Sequence, residues 1–237
     1  TCLLFLILLS GTIFANTYIV TNTNDIGPGS LRDAINLANS NPGNDIINFN
    51  IPATPGVVST IFPLSQLPPL TDPGGVLIDG LSQSGSSSGM TPPSSAQLFI
   101  ELNGSMAGGA HGIYIVSPGN IIQGLIINHF EQDGIRIEGT MSGTFANLVY
   151  CNFIGTDPTG LIGQGNGTNQ SKLWAGVNIL VGPCGVPLFA MDNIVDGNLI
   201  ADNFANGVEI SNCPSGDVFG NLVLNNYIGT DITGLVD

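Results

Sequence analysis

The stretch Asn193-Ile-Val-Asp-Gly-Asn-Leu-Ile200 decides how this chain folds, because it recurs. Asn147-Leu-Val-Tyr-Cys-Asn-Phe-Ile154 and Asn221-Leu-Val-Leu-Asn-Asn-Tyr-Ile228 repeat its pattern: Asn, two apolar residues, any residue, a small residue, Asn, any residue, Ile. Asn120-Ile-Ile-Gln-Gly-Leu-Ile-Ile127 is a degenerate copy. A second unit alternates with it, reading Gly112-Ile-Tyr-Ile115, Gly134-Ile-Arg-Ile137, Gly176-Val-Asn-Ile179 and Gly207-Val-Glu-Ile210, with the glycines 22, 42 and 31 residues apart. Short β-branched runs of period two, bounded by Gly and Asn, read as strands. Repeats of this length built from such strands predict a solenoid in which each coil stacks on the last. Inward Ile and Val then meet their counterparts at the ordinary strand spacing of ~4.8 Å. Asn at the bends tolerates left-handed backbone and forms side-chain ladders, so the recurrent asparagines read as scaffold.

Working outward, the 237 residues allow one or two domains. Only 8% are charged, against roughly a quarter in an average soluble protein. Three Lys and Arg (Arg32, Arg136 and Lys172) face 17 acidic residues, a net charge of −14. That excludes nucleic acid as a partner, since phosphate recognition needs clustered cations. An acidic polymer is repelled unless a divalent cation bridges the two. With 43% apolar residues the chain can bury a sizeable core. The apolar run Leu3–Leu9 followed by Ser10-Gly-Thr-Ile-Phe-Ala15 reads as a secretory signal peptide over residues 1–15. It is too short to span a bilayer, which needs ~20 apolar residues, and no later stretch reads as a membrane anchor. The expected location is therefore secreted or cell-surface, where disulfides form.

Residues 16–110 are less regular and read as an N-terminal cap with the first coils; residues 111–237 read as regular coils. Thr17–Thr21, Ile46–Ile51 and Val76–Asp79 look like strands, Pro52–Pro73 a Pro-rich connection and Ser82–Ser95 a polar loop. Leu31, Ala34, Ile35 and Ala38 form the apolar face of one helix, with Ser30 and Asp33 as a weak capping box. An amphipathic helix suits the open end of a solenoid.

The segment Thr21-Asn-Thr-Asn-Asp-Ile-Gly-Pro-Gly-Ser-Leu-Arg-Asp-Ala-Ile-Asn-Leu-Ala-Asn39 resembles the N-terminal part of large bacterial secreted and surface proteins with right-handed parallel β-helix repeats. Val76–Gln83, Phe99–Gly104 and the two copies of Asn-aromatic-Ile-Gly-Thr-Asp-x-Thr-Gly at Asn152–Gly160 and Asn226–Gly234 are similar to later parts of that pattern. The resemblance implies an all-β, right-handed parallel β-helix of the pectate-lyase-like kind, with the helix as its N-terminal cap. It implies no established activity. The second Gly-Thr-Asp copy stops at Asp237 before its continuation, so this chain is expected to be part of a longer one.

In that arrangement Tyr114, Arg136, Asn178 and Glu209 lie between inward residues, one per coil, and form an outward stripe. A ring face, a bidentate donor, an amide and a carboxylate suit a polysaccharide or cell-surface glycan, although any solvated sheet carries such residues. Trp174 sits in the insertion Asp157–Ala175 and joins the ligand-binding candidates. Asp157 and Asp231 recur in the same Thr-Asp-x-Thr-Gly loop; turn formation is the plain reading, and weak calcium binding is the other. His111 and His129 read as isolated. Cys184 and Cys213 follow their glycines by eight and six residues in adjacent coils, so a cross-coil disulfide is expected, leaving Cys151 a free thiol. The expected role is a structural or carbohydrate-binding, adhesin-like module without a cofactor. The alternative is a polysaccharide lyase or glycoside hydrolase, for which the sequence offers no grouped carboxylates and no base beside a cation cage.

Overall fold

Each Asn-headed unit folds as two short strands around a corner. In Asn193–Ile200 the strands are Ile194–Asp196 and Leu199–Ile200. Gly197 between them has φ 64°, a left-handed conformation that costs glycine no Cβ clash. Gly124, Cys151 and Asn225 hold the same corner in their units, at φ 72°, 52° and 51°. This is why the fifth motif position is small or Asn.

The structure is a computed structural model that describes residues 15–54, 56–90, 93–167, 174–182 and 184–235. The expected signal segment, apart from Ala15, and Lys172 lie outside the described residues. The described chain is mostly β, with all-parallel sheets and a single α-helix. Seven strands form the first sheet: Thr17–Val20, Asp45–Phe49, Val76–Asp79, Ile121–Gln123, Leu148–Tyr150, Ile194–Asp196 and Leu222–Leu224. Six form the second: Ser59–Ile61, Ile100–Asn103, Leu125–Asn128, Phe153–Ile154, Leu199–Ile200 and Tyr227–Ile228. Four form the third: Ile113–Ile115, Ile135–Glu138, Ala175–Leu180 and Asn206–Ser211. From Ile121 onward the chain visits the first, second and third sheets in turn, and each visit adds the next neighbouring strand.

Period two places one apolar column of each sheet inside. Ile47, Ile78, Ile122, Val149 and Val195 are register partners in the first sheet. Ile61, Leu102, Ile127, Ile154 and Ile200 are partners in the second. In the third, Ile113, Ile135 and Val177 stand beside Ile115, Ile137 and Ile179. All are at most 2% exposed and belong to one cluster. Burying each such side chain stabilises by about 1.5–3 kcal/mol. The helix Leu31–Ser40 adds Leu31, Ala34, Ile35 and Ala38 to the same cluster, and the Ser30 hydroxyl accepts the Asp33 N–H at 3.2 Å.

The corners are tied by asparagine ladders. Asn120, Asn147 and Asn193 each donate Nδ2–H to the next Oδ1, ending on Asn221, at 2.9 Å per step. Asn152, Asn198 and Asn226 form a second ladder at 3.0 and 2.9 Å. Asn166 and Asn203 form a third at 3.0 Å. In the third sheet the glycines are required by close approach. A Cβ on Gly134 would lie 2.7 Å from the Gly176 carbonyl oxygen and 2.8 Å from Ile154 Cγ2. One on Gly176 would lie 2.7 Å from the Gly207 carbonyl oxygen.

One expectation needs correction. The Pro-rich connection 52–73 contains the strand Ser59–Ile61, which opens the second sheet; three residues between prolines carry too little period to read. The polar loop 82–95 leads into a cover for the outer face of that sheet. Ala96 and Leu98 pack there with Ile126, Cys151, Phe153 and Leu199, since this sheet is apolar on both faces and the alternation is lost. The first and second sheets both take strands from either side of residue 110.

Cys184 and Cys213 are joined as a disulfide, with Cα atoms 5.2 Å apart and a sequence separation of 29. Replacing both by Ser is expected to cost about 3–4 kcal/mol through restored unfolded-chain entropy. Urea unfolding checks this, and a loss below about 1 kcal/mol contradicts it. Cys151 is free and buried, and burial pushes its thiol up to about 11. Among the described residues no helix is long and apolar enough to cross a membrane.

Candidate ligand-binding face

The third sheet positions the site. Tyr114, Arg136, Asn178 and Glu209 are register partners on successive strands, so they stand in one row. The strand Ile135–Glu138 presents Glu138 on the same face as Arg136, two residues on. His111 and Asp133 enter through the turns preceding their strands, and Trp174 directly precedes the strand Ala175–Leu180.

Asp133 lies at the centre, with no exposed surface. Its Oδ1 accepts the Ala175 N–H at 2.7 Å and Asn178 Nδ2 at 3.3 Å. Its Oδ2 is 3.3 Å from Arg136 Nη1 and 3.2 Å from His111 Nδ1. That imidazole nitrogen also lies 3.2 Å from the Asp133 backbone N–H. The two contacts are alternatives, because Nδ1 accepts from the backbone in one tautomer and donates to the carboxylate when it carries hydrogen. The Gln66 side chain clamps the His111 backbone from both sides, accepting its N–H at 2.8 Å and donating to its carbonyl at 3.1 Å. Arg32, paired with Asp25 at 2.7 Å, donates to the Gln66 carbonyl, which links the helix Leu31–Ser40 to the site.

On the other side of Arg136, Glu138 Oε2 accepts from Arg136 Nε and from the Tyr114 hydroxyl, each at 2.8 Å. The guanidinium carbon lies 6.0 Å from the Tyr114 ring centre. His111 stands 5.5 Å from both the Tyr114 and Trp174 rings, edge-on to Trp174. Three rings and a bridged Arg–carboxylate pair thus share one outer face. Two polar atoms here are buried without a partner among the described residues, Trp174 Nε1 and Asn178 Oδ1.

Burial opposes the Arg136 charge, but the Glu138 hydrogen bond and the charges of Glu138 and Asp133 outweigh it and hold the guanidinium above its ordinary range. Burial and then the Glu138 carboxylate push the Tyr114 phenol up to about 12. The neutral phenol is therefore favoured in the folded state. Its contribution to stability is complete below the ordinary tyrosine value near 10 and falls as pH rises through about 12. Absorbance titration is expected to show one phenol ionising near 12, and Tyr114→Phe to remove that step; a Tyr114→Phe curve unchanged above pH 11 contradicts it.

The row brings together Tyr114, Arg136 and Asn178, with Trp174 joined through His111. Asn178 is 3% exposed, not solvated as an outward stripe implies, because its amide turns onto Asp133. Glu209 shares the register, but its carboxylate accepts from Asn206 at 2.9 Å. Asp157 and Asp231 lie away from this face. Asp157 Oδ1 accepts the Leu161 and Ile162 N–H groups at 3.1 and 3.0 Å, and Asp231 Oδ1 accepts the Thr233 N–H at 2.9 Å, closing their own loops. A separate cleft of about 290 Å³ opens between those loops, lined by Thr156, Leu161, Asp202 and Asp231 among others. It holds no aromatic ring. Among the described residues no three His, Cys, Asp or Glu side chains converge as a metal site.

Sequence reasoning missed His111, Asp133 and Glu138. Compared with known proteins, the chain matches no family model and no curated sequence.

Proposed function

We propose that the chain is an exported right-handed parallel β-helix acting as a carbohydrate-binding module of a larger cell-surface or secreted protein, with the outer face of the third sheet as its glycan site. The β-helix reading is supported by the fixed order in which the chain visits three parallel sheets. Its hand follows from the strong preference of parallel crossovers for right-handed connection. The Cys184–Cys213 disulfide supports an oxidising destination.

The observation that carries the binding reading is the cluster of Tyr114, His111 and Trp174 rings around the bridged Arg136 and Glu138. Aromatic faces stack on the C–H faces of sugar rings, and ionic side chains fixed by their neighbours bind hydroxyls at little entropic cost. Three residues of the cluster are unsuited to the work of a general base. A general base at neutral pH needs a proton affinity near the operating pH. The guanidinium of Arg136 is held protonated and the Tyr114 phenol lies near 12. Asp133 has no surface with which to reach a substrate.

The test is retention of residues 16–237 on a panel of insoluble polysaccharides, with an assay for new reducing ends on the same samples. Retention without release is the expected result. Release that disappears in Arg136→Ala would make the protein a lyase or hydrolase instead.

A further inference from the structure

We infer that this face selects uncharged sugar rings and rejects uronates; the inference rests on the glycan-binding reading above. The reason is local charge. Arg136 is the cation of the row, and carboxylates lie on both sides of it, Asp133 Oδ2 at 3.3 Å and Glu138 Oε2 at 2.8 Å. Asp133 is fully buried, so solvent screens its charge little. With His111 neutral, two carboxylates against one guanidinium leave the cluster negative, and Glu209 adds another carboxylate along the same row. A uronate seated beside Arg136 would also meet the Glu138 carboxylate, and like-charge juxtaposition at an interface disfavours binding.

Two buried polar atoms beside the row lack partners among the described residues. Trp174 Nε1 is a hydrogen-bond donor only, and Asn178 Oδ1 an acceptor only. Asn178 stands in the row between Arg136 and Glu209 and is 3% exposed. Both atoms are closed to solvent, so the charge of the row, and not these atoms, carries the selection.

Polymers matched in their sugar ring that differ chiefly in charge test this. Fully methyl-esterified and de-esterified polygalacturonate form one pair, and mannan and mannuronan a second. Binding is measured by affinity electrophoresis at low salt with a chelator present, so that no divalent cation bridges acid to acid. The neutral members are expected to bind at least tenfold more tightly than the charged ones. Glu138→Gln keeps an acceptor for Tyr114 and Arg136 while removing the charge, and is expected to narrow the ratio; Glu209→Gln, on a half-buried side chain, should narrow it less. Charged members binding as well as neutral ones would overturn the selectivity while leaving the binding reading standing. Binding to neither member of any pair, nor to other neutral polymers, by folded protein would overturn the binding reading itself.

Discussion

Asn193→Ala is expected to destabilise the protein by about 2–4 kcal/mol, although the side chain carries no charge and touches no ligand candidate. Asn193 is fully buried. Its Oδ1 accepts the backbone N–H of Asn147 at 3.1 Å and that residue's Nδ2 at 2.9 Å. Its own Nδ2 donates to the Thr144 carbonyl at 3.2 Å and to Asn221 Oδ1 at 2.9 Å. Truncation therefore leaves at least two donors without partners in a dry corner, and each buried unsatisfied group costs about 1–3 kcal/mol. Asn221→Ala provides the control. It breaks the ladder one step later, where the residue is only part-buried, so water replaces some of the bonds and a loss of about 1 kcal/mol is expected. Urea unfolding at unchanged slope reads both. Equal losses for the two variants, or a loss below 1 kcal/mol at Asn193, would show that the ladders are ornament on a fold held by its apolar columns.

Arg136→Ala should cost a similar 2–4 kcal/mol, well above the 0–1 kcal/mol of an exposed pair. The guanidinium side chain is 16% exposed and its partner Asp133 is 0% exposed. Removing the cation leaves Asp133 with the Ala175 N–H, the Asn178 amide and His111, and leaves Glu138 with Tyr114 alone. Arg136→Lys separates charge from shape. An ammonium lacks the planar fork that reaches both carboxylates, so Lys should recover only part of the loss. Salt distinguishes the mechanisms as well, since 1 M salt erases a surface pair but leaves most of a buried one. A wild-type to Arg136→Ala difference that vanishes in 1 M salt contradicts the buried bridge.

Much of this site was written in the column structure of the sequence. Alternation in Gly134-Ile-Arg-Ile137 placed Arg136 outward and aligned it with Tyr114, Asn178 and Glu209, and the register does the same. Ending the repeat unit at Ile137 hid Glu138, the next outward residue. His111 read as isolated because its partner lies 22 residues away, yet 22 is also the spacing from Gly112 to Gly134. The residues just before those glycines, His111 and Asp133, therefore share a column, and Ala175, before Gly176, supplies the N–H that Asp133 accepts. Extending the alignment by one column would have exposed the cluster. The Asn166–Asn203 ladder was harder to see, since the insertion after Asp157 breaks the repeat spacing. Ser59–Ile61 carried too few residues for any period, and only its pairing with Ile100–Asn103 makes it a strand.

Trp174 is the only tryptophan in the chain, and it stands 5.5 Å from His111 at the edge of the cluster. Its fluorescence therefore reports on this face and no other. The most direct measurement is a titration of folded protein with neutral oligosaccharides, followed by tryptophan emission. The account predicts a saturable change in intensity or wavelength that is lost in Tyr114→Ala, with Tyr114→Phe keeping most of it because the ring remains. Glycan retention with no change in Trp174 emission would place the binding surface elsewhere and contradict the account.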